Sequence, residues 1–220
     1  MLKLDIGCGQ KKEGFIGIDI IPAEGVDFVL DITSEKIPLQ DDTGDEVFSN
    51  HFFEHIDSPK EALEELIRVS VEGATFEIWT PYLKSNEAFV LGHRHFYNET
   101  IWRHICIEYP HFWLKDVEAT LRLEKFYYVL KFDAVEELKR LQIPLAFALE
   151  HMFNIAIEMG AFMTVIKGKN VKGVKALEPE QLVSYSRQGP FERLEPAVYP
   201  LAHTSFSIRA LLKRLFLPVG

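Results

Sequence analysis

Short apolar runs closed by acids or glycines alternate along this chain with longer stretches of helical periodicity. Leu2 to Ile6 is too short for a helix and reads as a buried strand. Phe15 to Ile18 and Val26 to Leu30 read the same way, and Asp19 and Asp31 close them. Ser58-Pro59-Lys60-Glu61 then opens a helix: Ser58 suits the N-cap, Pro59 the first helical position, and Glu61 completes a capping box. Ala62, Leu63, Leu66 and Ile67 fall on one face of that helix, and the spacing predicts a Glu64–Arg68 pair on the other. Gly73 ends the segment, and Thr75 to Trp79 reads as a strand stopped by Pro81. A helix is predicted over 98–106 with Ile101, Trp102 and Ile105 inward, and a long β-rich run follows from Leu121 to Phe132.

The next stretch, 133–159, is helical by pattern with Pro144 as a break. Its second half is strongly apolar (Leu145, Phe147, Leu149, Met152, Phe153, Ile155, Ile157), with Glu150, Asn154 and Glu158 as a polar stripe at spacing four. Ala161 to Lys167 is the last predicted strand. Strands alternating with helices predict an α/β fold with a mainly parallel sheet over 1–168. Residues 169–220 read as an appendage punctuated by glycine and proline, ending in an amphipathic helix from Ser205 to Phe216. With three basic residues that helix suits either an anionic membrane surface or docking on the body or a second subunit. No apolar run approaches the length of about 18 residues that a membrane span needs.

The chain has 220 residues, 47% of them hydrophobic, enough for a sizeable core. A net charge of −9 argues against nucleic acid as a partner, because phosphate binding needs a basic face. The two cysteines, Cys8 and Cys106, have neither metal nor redox spacing and suit a reducing, cytoplasmic compartment. The chain opens directly on its first strand, so no secretory leader is expected.

Gly7-Cys8-Gly9 follows the first strand at once, and Asp19 closes the second. A glycine turn and an acid at these places suit an adenosine-bearing cofactor: the glycines admit close approach, and the acid accepts from ribose hydroxyls. A dinucleotide fits poorly. The third glycine of G-x-G-x-x-G is missing, and Asp19 comes only about ten residues after Gly9, where the fingerprint wants about 20. A full helix between the two strands does not fit, so a pyrophosphate would lose its usual anchor. S-adenosylmethionine carries no phosphate and does not need that helix.

Leu4-Asp5-Ile6-Gly7-Cys8-Gly9 resembles motif I of the class I S-adenosylmethionine-dependent methyltransferases, and further segments match in order. They are Asp19-Ile20, Asp31-Ile32, Ile37 to Asp41, the run from Asp45 to His55, Arg68 to Gly73, and His93 to Glu99. The resemblance covers roughly residues 2–130. It implies a Rossmann-like sheet of seven strands, mostly parallel, in order 3-2-1-4-5-7-6 with an antiparallel last strand and helices on both faces. The chain departs from the family in having no helix ahead of the first strand, a nearly deleted first inter-strand helix and the helical insert at 133–159.

By this resemblance Asp5, Gly7, Cys8 and Gly9 line the methionine and ribose side of the cofactor. Asp19 holds the ribose, Ile20 packs on the adenine, Asp31 accepts from its amino group, and Ile32 offers a backbone amide. Ser49, Asn50 and His51 leave the fourth strand at its carboxyl end, where α/β sheets bind ligands. His51 is the candidate general base, since histidine titrates near neutrality, or it positions the cofactor's carboxylate. His93, His95 and Tyr82, with Tyr97, are candidates for the acceptor pocket. Phe52 and Trp79 are aromatic candidates near the methyl. No third ligand stands at a telling distance from His93-Arg94-His95, so no metal site is expected. The expected activity is methyl transfer to a small or lipid-like acceptor, the insert serving as an apolar wall of the acceptor site or as a packing element. Its rivals are a catalytically silent cofactor-binding fold that serves as an assembly or regulatory partner, and a peripheral membrane enzyme for a prenylated acceptor. The missing N-terminal lid makes a homodimer attractive.

Overall fold

The computed structural model describes residues 1–168 and the backbone of 183–186. Its strands are β1 (Lys3–Ile6), β2 (Ile16–Asp19), β3 (Phe28–Val29), β4 (Gly44–Asn50), β5 (Ser70–Pro81), β6 (Ala119–Leu130), β7 (Ala156–Lys167) and β8 (Val183–Ser186). The helices are α1 (Pro59–Val69), α2 (Glu99–Arg103), α3 (Pro110–Trp113), α4 (Phe132–Leu141) and α5 (Leu145–His151). The sheet order is β3-β2-β1-β4-β5-β7-β6-β8. Strands β1 to β5 are parallel, and β7 runs antiparallel between β5 and β6. The seven-strand order is therefore the expected one. β8 is an addition: it lies in the segment read as an appendage and pairs parallel with β6 from Tyr127 to Leu130. The amphipathic helix expected at 205–216 lies outside the described residues.

Alternation along the strands sorts the core. Leu4, Ile6, Ile18, Val47, Phe76, Ile78, Leu121, Ala161 and Met163 form one face of the sheet, joined by Ala62, Leu63, Leu66 and Ile67 of α1 and Trp102 of α2. The other face carries a smaller cluster of Phe48, Trp79, Tyr127 and Val129, with Phe15 and Phe162 against it. Lysine stems cover these rings: Lys12 Nζ lies 3.0 Å from the centre of the Phe48 ring and Lys125 Nζ 4.7 Å from that of Tyr127. Of the two faces on which helices were expected, the described helices supply side chains only to the first.

Four local expectations change. Ser58 stands at the N-cap of α1 but its side chain makes no capping bond, so the capping box does not form. Arg68 pairs with Glu65 and Asp41 rather than Glu64, because the loop before β4 brings the carbonyls of Ile37 and Leu39 within 3.0 and 3.2 Å of its guanidinium. Glu64 takes Lys60 at 2.7 Å instead. Ile101 is exposed while Trp102 is buried, and at His104 α2 passes into a wider π-type turn. Helicity in the insert ends at His151, and Ala156 already belongs to β7. β7 pairs with β5 down to Pro81↔Glu158, and that ladder overrides the helical period that Asn154 and Glu158 had suggested.

Candidate active site

The nine residues from Gly7 to Phe15, with no helix among them, join β1 to β2. Their hydrogen bonds replace what a helix would supply. Gly7 and Cys8 donate to the Ile18 carbonyl, and the buried Asp5 carboxylate accepts from Lys12 N at 2.8 Å. Burial pushes the Asp5 carboxyl up, against the hydrogen bond from Lys12. Asp5 thus anchors the glycine turn from the inside. Cys8 packs against Gly17, and burial, with the charges of Asp5 and Asp19, pushes its thiol up to about 11. That thiol is inert at neutral pH.

Both glycines have positive φ, 64° at Gly7 and 50° at Gly9, but for different reasons. A Cβ on Gly7 would stand 2.4 Å from the Phe52 ring, so this glycine exists for packing, and Phe52 is its neighbour. A Cβ on Gly9 would meet nothing within 4 Å; Gly9 opens onto a free space. Asp19 borders that space. Its carboxylate accepts from Gly9 N at 3.0 Å and Ile21 N at 2.9 Å, one bond to each oxygen. A carboxylate has about four acceptor sites, so two remain for a pair of hydroxyls. Next to it Ile20 is 60% exposed, a bare apolar surface of the kind an adenine ring covers. Gly9, Asp19 and Ile20 therefore form an open cradle that fits an adenosyl group.

The other expected cofactor residues divide. Asp31 Oδ1 accepts from the Thr33 amide and hydroxyl at 2.9 and 2.7 Å, which holds its carboxyl below the ordinary value and closes the turn after β3. Ile32 is buried in the main core. Ser49 is fully buried and donates to the Ile6 carbonyl at 3.0 Å; it ties β4 to β1 and does not reach the crevice. Asn50 is exposed at the end of β4.

His51 follows with φ 54°, a turn conformation that swings its ring between two acids. Its Nδ1 lies 3.1 Å from Glu54 Oε1 and its Nε2 3.7 Å from Glu158 Oε1. Burial pulls the imidazole down, but hydrogen bonds and charge from Glu158 and Glu54 outweigh it and hold the ring at about 9. His51 is thus clamped between two carboxylates that favour its protonated form. Glu158 is the residue that sequence reasoning missed: β7 carries it to the ring, whereas the helical period had put it on a solvated stripe.

Tyr82 is 1% exposed, its hydroxyl shared between Glu99 at 3.0 Å and the Leu149 carbonyl at 3.3 Å. Burial first, then Glu99, raises that hydroxyl far above its ordinary value; it is a core residue and does not line an open pocket. Tyr97 is also buried, donating to Phe53 O at 3.2 Å, and it lines the same cavity as His95. Trp79 stays in the smaller core cluster. His95 borders a cavity of about 340 Å³ between α1 and α2, with Pro59, Leu63, Phe96, Ile105 and Trp113. His93 is elsewhere: its ring meets that of His55 edge-on, with centroids 4.7 Å apart. Around His93 the surface is apolar. Phe89, Leu91, Phe96 and Phe153 are all exposed, with Phe89 5.4 Å from Phe96 and 6.2 Å from Phe153.

The strand order and the cradle at the carboxyl ends of β1 and β2 define a class I methyltransferase fold. The family model described as "Methyltransferase domain" matches residues 18–78, from β2 into β5. Among solved structures, the chain is similar to an S-adenosylmethionine-dependent methyltransferase from Archaeoglobus fulgidus. That likeness has 21% identity and a TM-score of 0.53, and covers 74% of this chain and 85% of that one. It is also similar to the [4+2]-cyclase SpnF, at 16% identity and TM-score 0.48 over 76% of this chain and 74% of that one. The YcgJ protein from Bacillus subtilis is similar at 12% identity and TM-score 0.47, over 75% and 91%. No curated protein sequence matches. The chain thus shares its fold with the Archaeoglobus fulgidus methyltransferase, and the methyltransferase-domain match covers 61 of its 220 residues. Among the described residues no helix is long and apolar enough to cross a membrane.

Proposed function

We propose that the protein is an active methyltransferase whose acceptor is a small or lipid-like molecule with an apolar body. Two observations support this reading: the open cradle of Gly9, Asp19 and Ile20, and the exposed aromatic group of Phe89, Phe96 and Phe153. When bound, S-adenosylmethionine supplies a methyl group on a sulfonium. The chain's own part is placement: Asp19 fixes the ribose, Ile20 covers the adenine, and the glycine turn lets the cofactor lie against the backbone. Holding the acceptor close and in line is worth about 7–11 kcal/mol of barrier, which an apolar wall supplies for an apolar body. Phe89, Phe96 and Phe153 give that wall, the last one just beyond the insert helix α5. The sulfonium charge disappears as the methyl moves, so an aromatic, poorly solvated wall also suits the transition state better than an anionic one.

The test uses S-adenosylmethionine with a labelled methyl group, the full chain and an extract of its source, with Asp19→Ala as control. Label that partitions into the organic phase supports the reading. Label confined to the aqueous phase leaves a methyltransferase and removes the lipid-like acceptor. Cofactor binding with no transfer at all favours the silent-fold alternative.

A further inference from the structure

The fold gathers three groups from two segments that the sequence keeps 38 residues apart. Glu54, His55 and His93 each offer a ligand atom within 4.8 Å of the others. The convergence is built into the backbone: Arg94 N and His95 N donate to the Glu54 carbonyl at 2.7 and 3.2 Å, which stitches the His93 segment onto the turn after β4.

Both imidazoles have a backbone carbonyl facing Nδ1. His55 Nδ1 lies 3.4 Å from the Gly92 carbonyl and His93 Nδ1 3.1 Å from the Ala88 carbonyl. A carbonyl oxygen only accepts, so each Nδ1 carries the proton and each Nε2 keeps its lone pair. A backbone carbonyl behind the distal nitrogen is the usual support of a metal-bound histidine. The third group points the same way. Glu54 is 1% exposed, His55 Nε2 lies 3.9 Å from its Oε1, and its Oε2 is buried without a hydrogen-bond partner. His51 Nδ1 already takes Oε1 at 3.1 Å, so Oε2 is the buried oxygen left for a further cation, and burying it with nothing to accept from is costly.

We infer that Glu54, His55 and His93 bind a divalent first-row transition-metal ion, with zinc as the reference case. Two imidazoles and one carboxylate suit zinc and its neighbours better than magnesium or calcium, which take oxygen sets. Donor atoms on a tetrahedral zinc stand about 3.3 Å apart, given bonds of about 2.0 Å. The three ligand atoms, within 4.8 Å of one another, would draw together on the ion. Three protein ligands leave a coordination position open. That position would take an oxygen or nitrogen donor of an acceptor, a use that rests on the methyltransferase reading; metal binding itself does not.

The experiment titrates the chelator-stripped full chain with zinc chloride, and separately with magnesium chloride, by calorimetry. One zinc per chain is expected, with magnesium at least tenfold weaker. His55→Ala and His93→Ala should each weaken zinc binding tenfold or more, while His151→Ala, on α5, leaves it unchanged. The histidine variants carry the test because Glu54→Gln disturbs a buried pair, and their melting curves report the fold. Cobalt substitution gives a second readout: a visible band of four-coordinate cobalt that His93→Ala abolishes. No stoichiometric zinc, or equal affinity in a His55→Ala/His93→Ala double variant, overturns the inference. Zinc binding without S-adenosylmethionine binding would leave the metal site standing and sink the proposed function instead.

Discussion

Asp19 holds two backbone amides of its own chain and keeps two acceptor sites for a ligand. Asp19→Ala should weaken S-adenosylmethionine binding by about 10- to 100-fold in a calorimetric titration, the worth of hydrogen bonds to a charged group at about 1.5–3 kcal/mol. The paired glycines separate packing from binding. Gly7→Ala meets the Phe52 ring and a positive φ together, so it should cost at least about 2–4 kcal/mol and lower the melting temperature sharply. Gly9→Ala meets no neighbour and carries only the conformational cost of about 1 kcal/mol. Its new methyl would stand where the adenosyl group is expected, so it should lose cofactor affinity with little loss of melting temperature. Equal effects of the two alanines on binding and melting would mean that Gly9 does not face the cofactor.

At the scale of elements, β7 shows what periodicity can and cannot read. The apolar runs behind β1 and β2 were legible because each is short and ends on an acid or glycine. The start of β7 was not, because Ile155, Ile157 and Glu158 fit a helical stripe and only long-range pairing with β5 and β6 makes them a strand. For the same reason the clamp on His51 was illegible: one of its acids lies three residues away, the other on a strand whose start was misread. The grouping of His93 with Glu54 was hidden likewise, since a loop stitched by backbone bonds leaves no side-chain signature. Gly160 is the structural signature of that ladder. It pairs with Trp79 on one side and Tyr127 on the other, and its Cβ would stand 2.9 Å from the Trp79 ring. The two rings stack at 6.5 Å across it, so the absent side chain is what lets them close. Gly160→Ala should therefore destabilise by about 1–3 kcal/mol, seen as a lower urea midpoint with unchanged slope. Gly160→Ala combined with Trp79→Leu should recover part of that loss, and failure to recover would show that the glycine answers to the backbone rather than to the ring.

For the whole molecule, the sheet places its two working ends apart. The cradle sits at β1 and β2, near one edge, while β6 stands four strands away from β1 and is covered beyond by β8. β6 is twelve residues long, and a long strand with a bare edge is a template for pairing with another chain. β8 satisfies it from Tyr127 to Leu130, the stretch nearest the start of α4. Deleting 169–220 should therefore leave S-adenosylmethionine affinity within about threefold, because no cradle residue lies near that edge, yet shift the protein to larger species in light scattering. The shift should grow with protein concentration, as edge pairing between chains requires. A shorter deletion, of 187–220, keeps β8 and should stay close to the full chain in size. If the shorter deletion associated as strongly as the longer one, the protection would come from the residues after β8. If the longer deletion also lost the cofactor, the edge and the cradle would be coupled through the sheet, and the separation read from the strand order would fail.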